Sequence, residues 1–98
     1  MADKLWKQTE RWWAKRLKGK RVPVNSTDGV ECDVSTPAYS VEIKERQDIP
    51  QWIQDAMLQA CRNCEEGKLP LLILHEKGAV HGSDIICVLA KDWLEWYG

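Results

Sequence analysis

The chain has 98 residues, 44% of them hydrophobic and 30% charged, with a net charge of −1. That length holds one domain with a modest core, and no apolar run approaches the roughly 20 residues that span a bilayer. The charge is unevenly spread, with eight bases and two acids in residues 1–21 and six bases and thirteen acids in residues 22–98, so a basic arm adjoins an acidic body that could hold a divalent cation.

Periodicity predicts a first helix over residues 3–18, stopped by Gly19. Its charges come too often for the apolar core of a signal peptide, which places the chain in a cytoplasm. Trp6, Glu10, Trp13 and Leu17 share one face. Lys4, Lys7, Arg11, Lys15 and Lys18 form a second stripe, facing either water or phosphate. Residues 20–24 read as a short strand, with Pro23 arguing for an edge or a bulge. Residues 25–29 (NSTDG) form a turn by composition. Strands over 30–35 and 39–45 flank the tight connection Thr36-Pro37-Ala38 and are expected to form a hairpin.

Pro50 opens a second helix, predicted to run to Glu66 with Gly67 as its stop. Ile53, Ala56, Met57, Ala60 and Cys64 give it a buried stripe. Cys61 and Cys64 form a CxxC pair inside this helix. No second pair completes a zinc site, and His75 and His81 could join only through the tertiary fold. All four cysteines, Cys32 and Cys87 included, are expected as free thiols. Residues 70–77 and 84–90 are apolar runs, expected as strands covered on both sheet faces. Residues 91–98 close the chain as a short helix or turn. The expected architecture is α/β: one mixed five-stranded sheet with a helix on each side, forming a single domain over 1–98.

In a strand, alternate residues share a face. With Cys32, Val34, Val41 and Ile43 facing the core, Asp33, Glu42 and Lys44 converge on the opposite face. Two neighbouring carboxylates repel unless an oxygen-seeking cation such as Mg²⁺ joins them. A lysine beside them can orient a metal-bound water and offset charge on a pentacovalent phosphorane, as metal-assisted phosphodiester hydrolysis requires. The plain alternative is a solvated strand face carrying a Glu–Lys pair. Glu10, a carboxylate within the tryptophan face, must be paired, bound to metal, or able to reach water. Gln59 lies beside the buried stripe of the second helix, so it either lines a polar pocket or sits half-exposed.

The order of these motifs resembles the PD-(D/E)XK nuclease superfamily, with its restriction-endonuclease-like fold. It is most similar to the Holliday junction resolvases of archaea and their viruses and to small phage-encoded relatives. The matching segments are the Glu10 helix, G-x-R-V-P from Gly19, Asp33, S-V-E-I-K from Ser40, and I-P-x-W-I-x-x-A-x-x-Q-A from Ile49. The resemblance implies a Mg²⁺-dependent endonuclease, with Mn²⁺ as a substitute, that binds branched or duplex DNA as a homodimer in a prokaryotic or virus-infected cell. It implies Asp33, Glu42 and the Ile43 backbone carbonyl as metal ligands, with Lys44 positioning the attacking water. Glu10 would support the metal or its water shell, and Gln59 would orient the lysine or the water. Ser26 would touch the scissile strand, while Lys4, Lys7, Arg11, Lys15 and Lys18 would meet phosphates. Arg46, where the strand leaves the sheet, faces DNA or water. Cys32 stands where the family usually has a proline before its aspartate. Trp93, Trp96 and Tyr97 form either a dimer surface or a lid over the sheet. Three alternatives stay open: a nicking, flap or repair nuclease of the same fold, a non-catalytic DNA-binding module, and a zinc or thiol protein built on Cys61 and Cys64.

Overall fold

The computed structural model describes residues 5–22 and 32–98. Lys4, Ser26, Pro23 and the 25–29 turn lie outside the described residues. The chain forms two compact units, Met1–Gln47 and Asp48–Gly98. The elements follow the order expected from the sequence: helix, three strands, helix, two strands, helix. Among the described residues, five strands pair into two antiparallel sheets, one of three strands and one of two, rather than into the single mixed sheet expected. Among the described residues no helix is long and apolar enough to cross a membrane.

In the first unit, α1 (Leu5–Arg16) packs on β1 (Lys20–Arg21) and β2 (Val34–Ser35), and β3 (Ser40–Val41) completes the sheet. The core is small: Val34 is fully buried, and Ala14 and Glu10 are buried beneath α1. Trp6, Trp13 and Leu17 are half-buried on the same face, as the helical period requires. Trp12 stays exposed, edge-on to Trp13 with ring centroids 5.0 Å apart.

The end of α1 explains two residues. Lys18 adopts a left-handed φ of 57°. Its N–H bonds to the Lys15 carbonyl at 3.3 Å, and the Gly19 N–H bonds to the Ala14 carbonyl at 2.8 Å. This is a Schellman cap with lysine at the position that normally favours glycine. Gly19 therefore does not supply the left-handed turn expected of it; it supplies closeness. A Cβ there would lie 2.5 Å from the Ser35 carbonyl oxygen and 2.6 Å from Thr36 Cγ2. The Ser35 backbone cannot retreat without disturbing its pairing with Lys20. Lys18→Gly is therefore expected to add about 0.5–1 kcal/mol of stability by relieving the left-handed backbone. Gly19→Ala is expected to remove about 1–3 kcal/mol by overpacking. Urea unfolding of both variants checks the pair of opposite signs.

A four-residue turn joins β2 to β3, in register Ser35↔Ser40 and Val34↔Val41. The Thr36 N–H bonds to the Tyr39 carbonyl at 2.9 Å, and Thr36 Oγ1 accepts the N–H groups of Ala38 (3.1 Å) and Tyr39 (2.8 Å). The hydroxyl thus closes the turn that Pro37 and Ala38 suggested.

In the second unit, α2 (Gln51–Arg62) packs on β4 (Leu72–Leu74), which pairs with β5 (Ile85–Cys87). The 3-10 turn His81–Ser83 lies between these strands, and α3 (Ala90–Tyr97) ends the chain. Met57 is the buried residue of α2. The helix ends at Arg62, short of Gly67. Gly67 instead serves a separate turn, with φ of 84°, closed by the Lys68 N–H on the Glu65 carbonyl at 3.2 Å. The Cys64 thiol, past the helix end, bonds the Glu65 and Lys68 carbonyls at 3.4 and 3.3 Å. All four cysteines are free and half-buried.

The apolar runs of β4 and β5 are not covered on both faces as expected. Leu72 and Leu74 are half-buried, whereas Ile73, Ile85 and Ile86 are 50–63% exposed. In α3, Trp93 is half-buried with its ring centroid 5.8 Å from that of Tyr97, while Trp96 and Tyr97 are exposed.

Candidate active site

Asp33, Glu42, Ile43 and Lys44 come together at the open end of the β2–β3 hairpin. The ladder ends at Val34↔Val41, and continued register would set Asp33 opposite Glu42. Here the pairing slips by one residue. The Asp33 N–H bonds to the Val41 carbonyl at 2.8 Å, while the Asp33 carbonyl accepts the Val22 N–H at 2.9 Å. The Ile43 N–H donates to Asp33 Oδ2 at 2.6 Å. A side-chain carboxylate has taken the place of a ladder acceptor. Asp33 therefore meets the Glu42-Ile43-Lys44 segment through the backbone amide at its centre, rather than by sharing a sheet face as simple alternation implied.

Glu42 and Lys44, two residues apart along the strand direction, do share a face. Lys44 Nζ lies 3.8 Å from Glu42 Oε2, with both side chains more than half exposed. An ion pair so open to water contributes little stability, and it leaves both groups accessible to a ligand. Val41 and Ile43 are half-buried on the other side, as expected, as is Cys32.

Glu10 is 6% exposed, and Arg21 of β1 accounts for its burial. The Arg21 Nε–H donates to Glu10 Oε1 at 2.8 Å. The sequence left this carboxylate a partner, a metal or access to water, and the structure supplies a partner. The close approach of Gly19 to β2 carries the chain directly from the end of α1 into β1, where Arg21 turns back to the helix.

One more bond ties α1 to the end of the hairpin segment. Thr9 Oγ1 donates to Glu45 Oε1 at 2.5 Å. Leu5, Gln8, Thr9, Trp12, Trp13 and Glu45 line a groove of about 370 Å³ beside this bond. Arg46 is exposed and donates to its neighbour, the Glu45 carbonyl, at 3.1 Å.

No family model, curated protein or solved structure matches this chain. The site therefore rests on its own geometry.

The basic stripe is present in part. Arg11, Lys15 and Lys18 are exposed, although Lys18 lies beyond the last helical residue. Lys7 is half-buried with its ammonium 5.5 Å from the Trp6 ring centroid. Arg16, absent from the predicted stripe, sits 4.8 Å over Trp12 and presents a cation and an exposed aromatic together. Gln59 lies in the second unit, exposed on α2.

Sequence reasoning missed four side chains: Arg21, Thr9, Glu45 and Asp84. Arg21 carried a signal, since a buried carboxylate on α1 demands a cation nearby. The Thr9–Glu45 bond had none. The histidines were noticed but assigned no partner; the structure joins them to Asp84.

Proposed function

We propose that this chain is a metal-dependent, structure-selective DNA endonuclease of the Holliday junction resolvase type, using Mg²⁺. The observation that carries the reading is the Asp33 carboxylate bonded to the amide between Glu42 and Lys44. It holds the Asp33 carboxylate against a short segment that carries a second carboxylate, a backbone carbonyl and an ammonium. The donor set fits the ion, because carboxylate and carbonyl oxygens are the hard ligands that Mg²⁺ takes. Asp33, Glu42 and the Ile43 carbonyl would hold it. Once bound, the ion would supply Lewis-acid polarisation and a more acidic water.

The rest of the chemistry belongs to the chain. Lys44 directs its ammonium at the attacking water and offsets charge that builds on the phosphoryl oxygens. Glu42 keeps that ammonium on the same face by their ion pair. Lys7, Arg11, Lys15, Lys18 and Arg46 meet phosphates, so affinity falls steeply with added salt. The Glu10–Arg21 pair holds α1 against the sheet that bears the site. A homodimer enters with the family resemblance alone.

The test is cleavage of a labelled four-way junction and of a matched linear duplex, each with Mg²⁺ and with chelator. The expected result is Mg²⁺-dependent cutting that favours the junction. Equal cutting of both substrates supports a general nicking or repair nuclease instead. Binding without cutting in Mg²⁺ or Mn²⁺ rejects the enzyme.

A further inference from the structure

The turn between β4 and β5 assembles three metal-ligand side chains. The last paired residues are Leu74 and Ile85, so His75 and Asp84 flank the next position of the ladder. The intervening loop doubles back in two steps. Gly78, with φ of 86°, makes a turn closed by the Ala79 N–H on the Glu76 carbonyl at 3.0 Å. The 3-10 turn then carries His81 toward Asp84, whose own N–H bonds to the His81 carbonyl at 3.0 Å. Ser83 Oγ ties the loop to the Val80 carbonyl at 2.7 Å.

The Asp84 carboxylate bridges the Nδ1 edges of the two rings. Its Oδ1 is 2.5 Å from His75 Nδ1, and its Oδ2 is 3.2 Å from His81 Nδ1. The imidazoles stack with centroids 4.5 Å apart and planes at 27°. One ligand atom from each of the three residues lies within 4.8 Å of the others. A carboxylate only accepts, so each ring presents its Nδ1–H to Asp84. That arrangement already gathers two nitrogens and a carboxylate around one point.

We propose that His75, His81 and Asp84 form a three-ligand site for a divalent transition-metal ion of the Zn²⁺ type. Two imidazoles and one carboxylate suit Zn²⁺, Co²⁺ or Ni²⁺ and not Mg²⁺. A tetrahedral ion with bonds of about 2.0–2.2 Å sets its ligand atoms about 3.3 Å apart, a spacing that side-chain rotation reaches from ligand atoms already within 4.8 Å of one another. On binding, each ring shifts its proton to Nε2 and offers the Nδ1 lone pair. The fourth position stays open to water, because His81 is 85% exposed. The site lies within the second unit and does not depend on the nuclease reading. Its ion would clamp the β4–β5 loop by joining residues nine apart in sequence.

The test uses the full chain stripped of metal and titrated with Co²⁺, then with Zn²⁺. The expected result is one Co²⁺ per chain, with a visible ligand-field spectrum and no near-ultraviolet thiolate band, displaced by Zn²⁺. Zn²⁺ is also expected to raise the melting temperature. His81→Ala alters a solvent-facing ring and should leave the fold intact while weakening Zn²⁺ binding by about tenfold or more. Asp84→Asn should do the same. Absence of Zn²⁺ binding, unchanged affinity in His81→Ala, or a thiolate band lost in Cys61→Ser/Cys64→Ser would each overturn the site. Loss of nuclease activity is not a readout here, so the two assignments fail separately.

Discussion

Lys44→Ala is expected to cut junction cleavage by about 10²–10³-fold or more, the scale seen when one group that stabilises transition-state charge is removed. Glu42→Ala is expected to do at least as much, since it removes a carboxylate ligand and the partner that holds Lys44. Both side chains are more than half exposed, so neither substitution should disturb folding. Junction binding by gel shift should persist in both variants, because the basic residues of α1 are untouched. Lys44→Arg gives a sharper reading. It keeps the charge but replaces a compact ammonium with a planar fork that cannot occupy the same position beside a water. Full cleavage by both alanine variants would remove these residues from the mechanism.

The second large effect concerns stability. Arg21→Ala leaves the Glu10 carboxylate buried without its cation. Removing one partner of a buried pair costs about 3–5 kcal/mol; Arg21 is partly exposed, so about 2–4 kcal/mol is expected. Arg21→Met together with Glu10→Leu removes both charges and fills similar space, and most of the lost stability should return. A denaturation cycle over the four proteins yields the coupling energy directly. An Arg21→Ala variant within about 0.5 kcal/mol of the parent would mean that Glu10 is held by something else, since changes of that size are typical of unconnected surface positions. Cleavage by the double variant separates two roles for Glu10. Retained activity assigns it to holding α1 on the sheet, and lost activity with restored stability assigns it to the reaction.

Much of the first unit was legible because its signals are local. Alternation around Val41 and Ile43 and the turn residues Thr36 and Pro37 specify the hairpin, and the tryptophan period specifies the buried face of α1. The meeting of Asp33 with the Glu42–Lys44 segment was anticipated, but its means was not. A one-residue slip in pairing leaves no trace in a pattern of side chains. The ends of elements misled for a related reason. Gly19 and Gly67 both match a helix stop by residue type, yet one is present for close packing and the other for a later turn. In the second unit, β4 and β5 read as doubly covered because Leu and Ile fill both faces. Hydropathy records what a side chain could bury against, not whether a layer lies there. The histidine pair was illegible because strand register sets His75 beside Asp84 and a 3-10 turn sets His81 there.

The Asp33–Ile43 bond gives the central residue of E-x-K an unusual kind of constraint. Such a position is normally regarded as free, a spacer whose identity is set by whatever the core behind it accepts. Here the spacer contributes an amide hydrogen, so almost any residue of suitable bulk can stand at 43 without loosening the carboxylate. Proline is the exception. It would satisfy the apolar surroundings of Ile43 and still remove this tether, because the residue that looks most like filler supplies a proton that holds the acid in place.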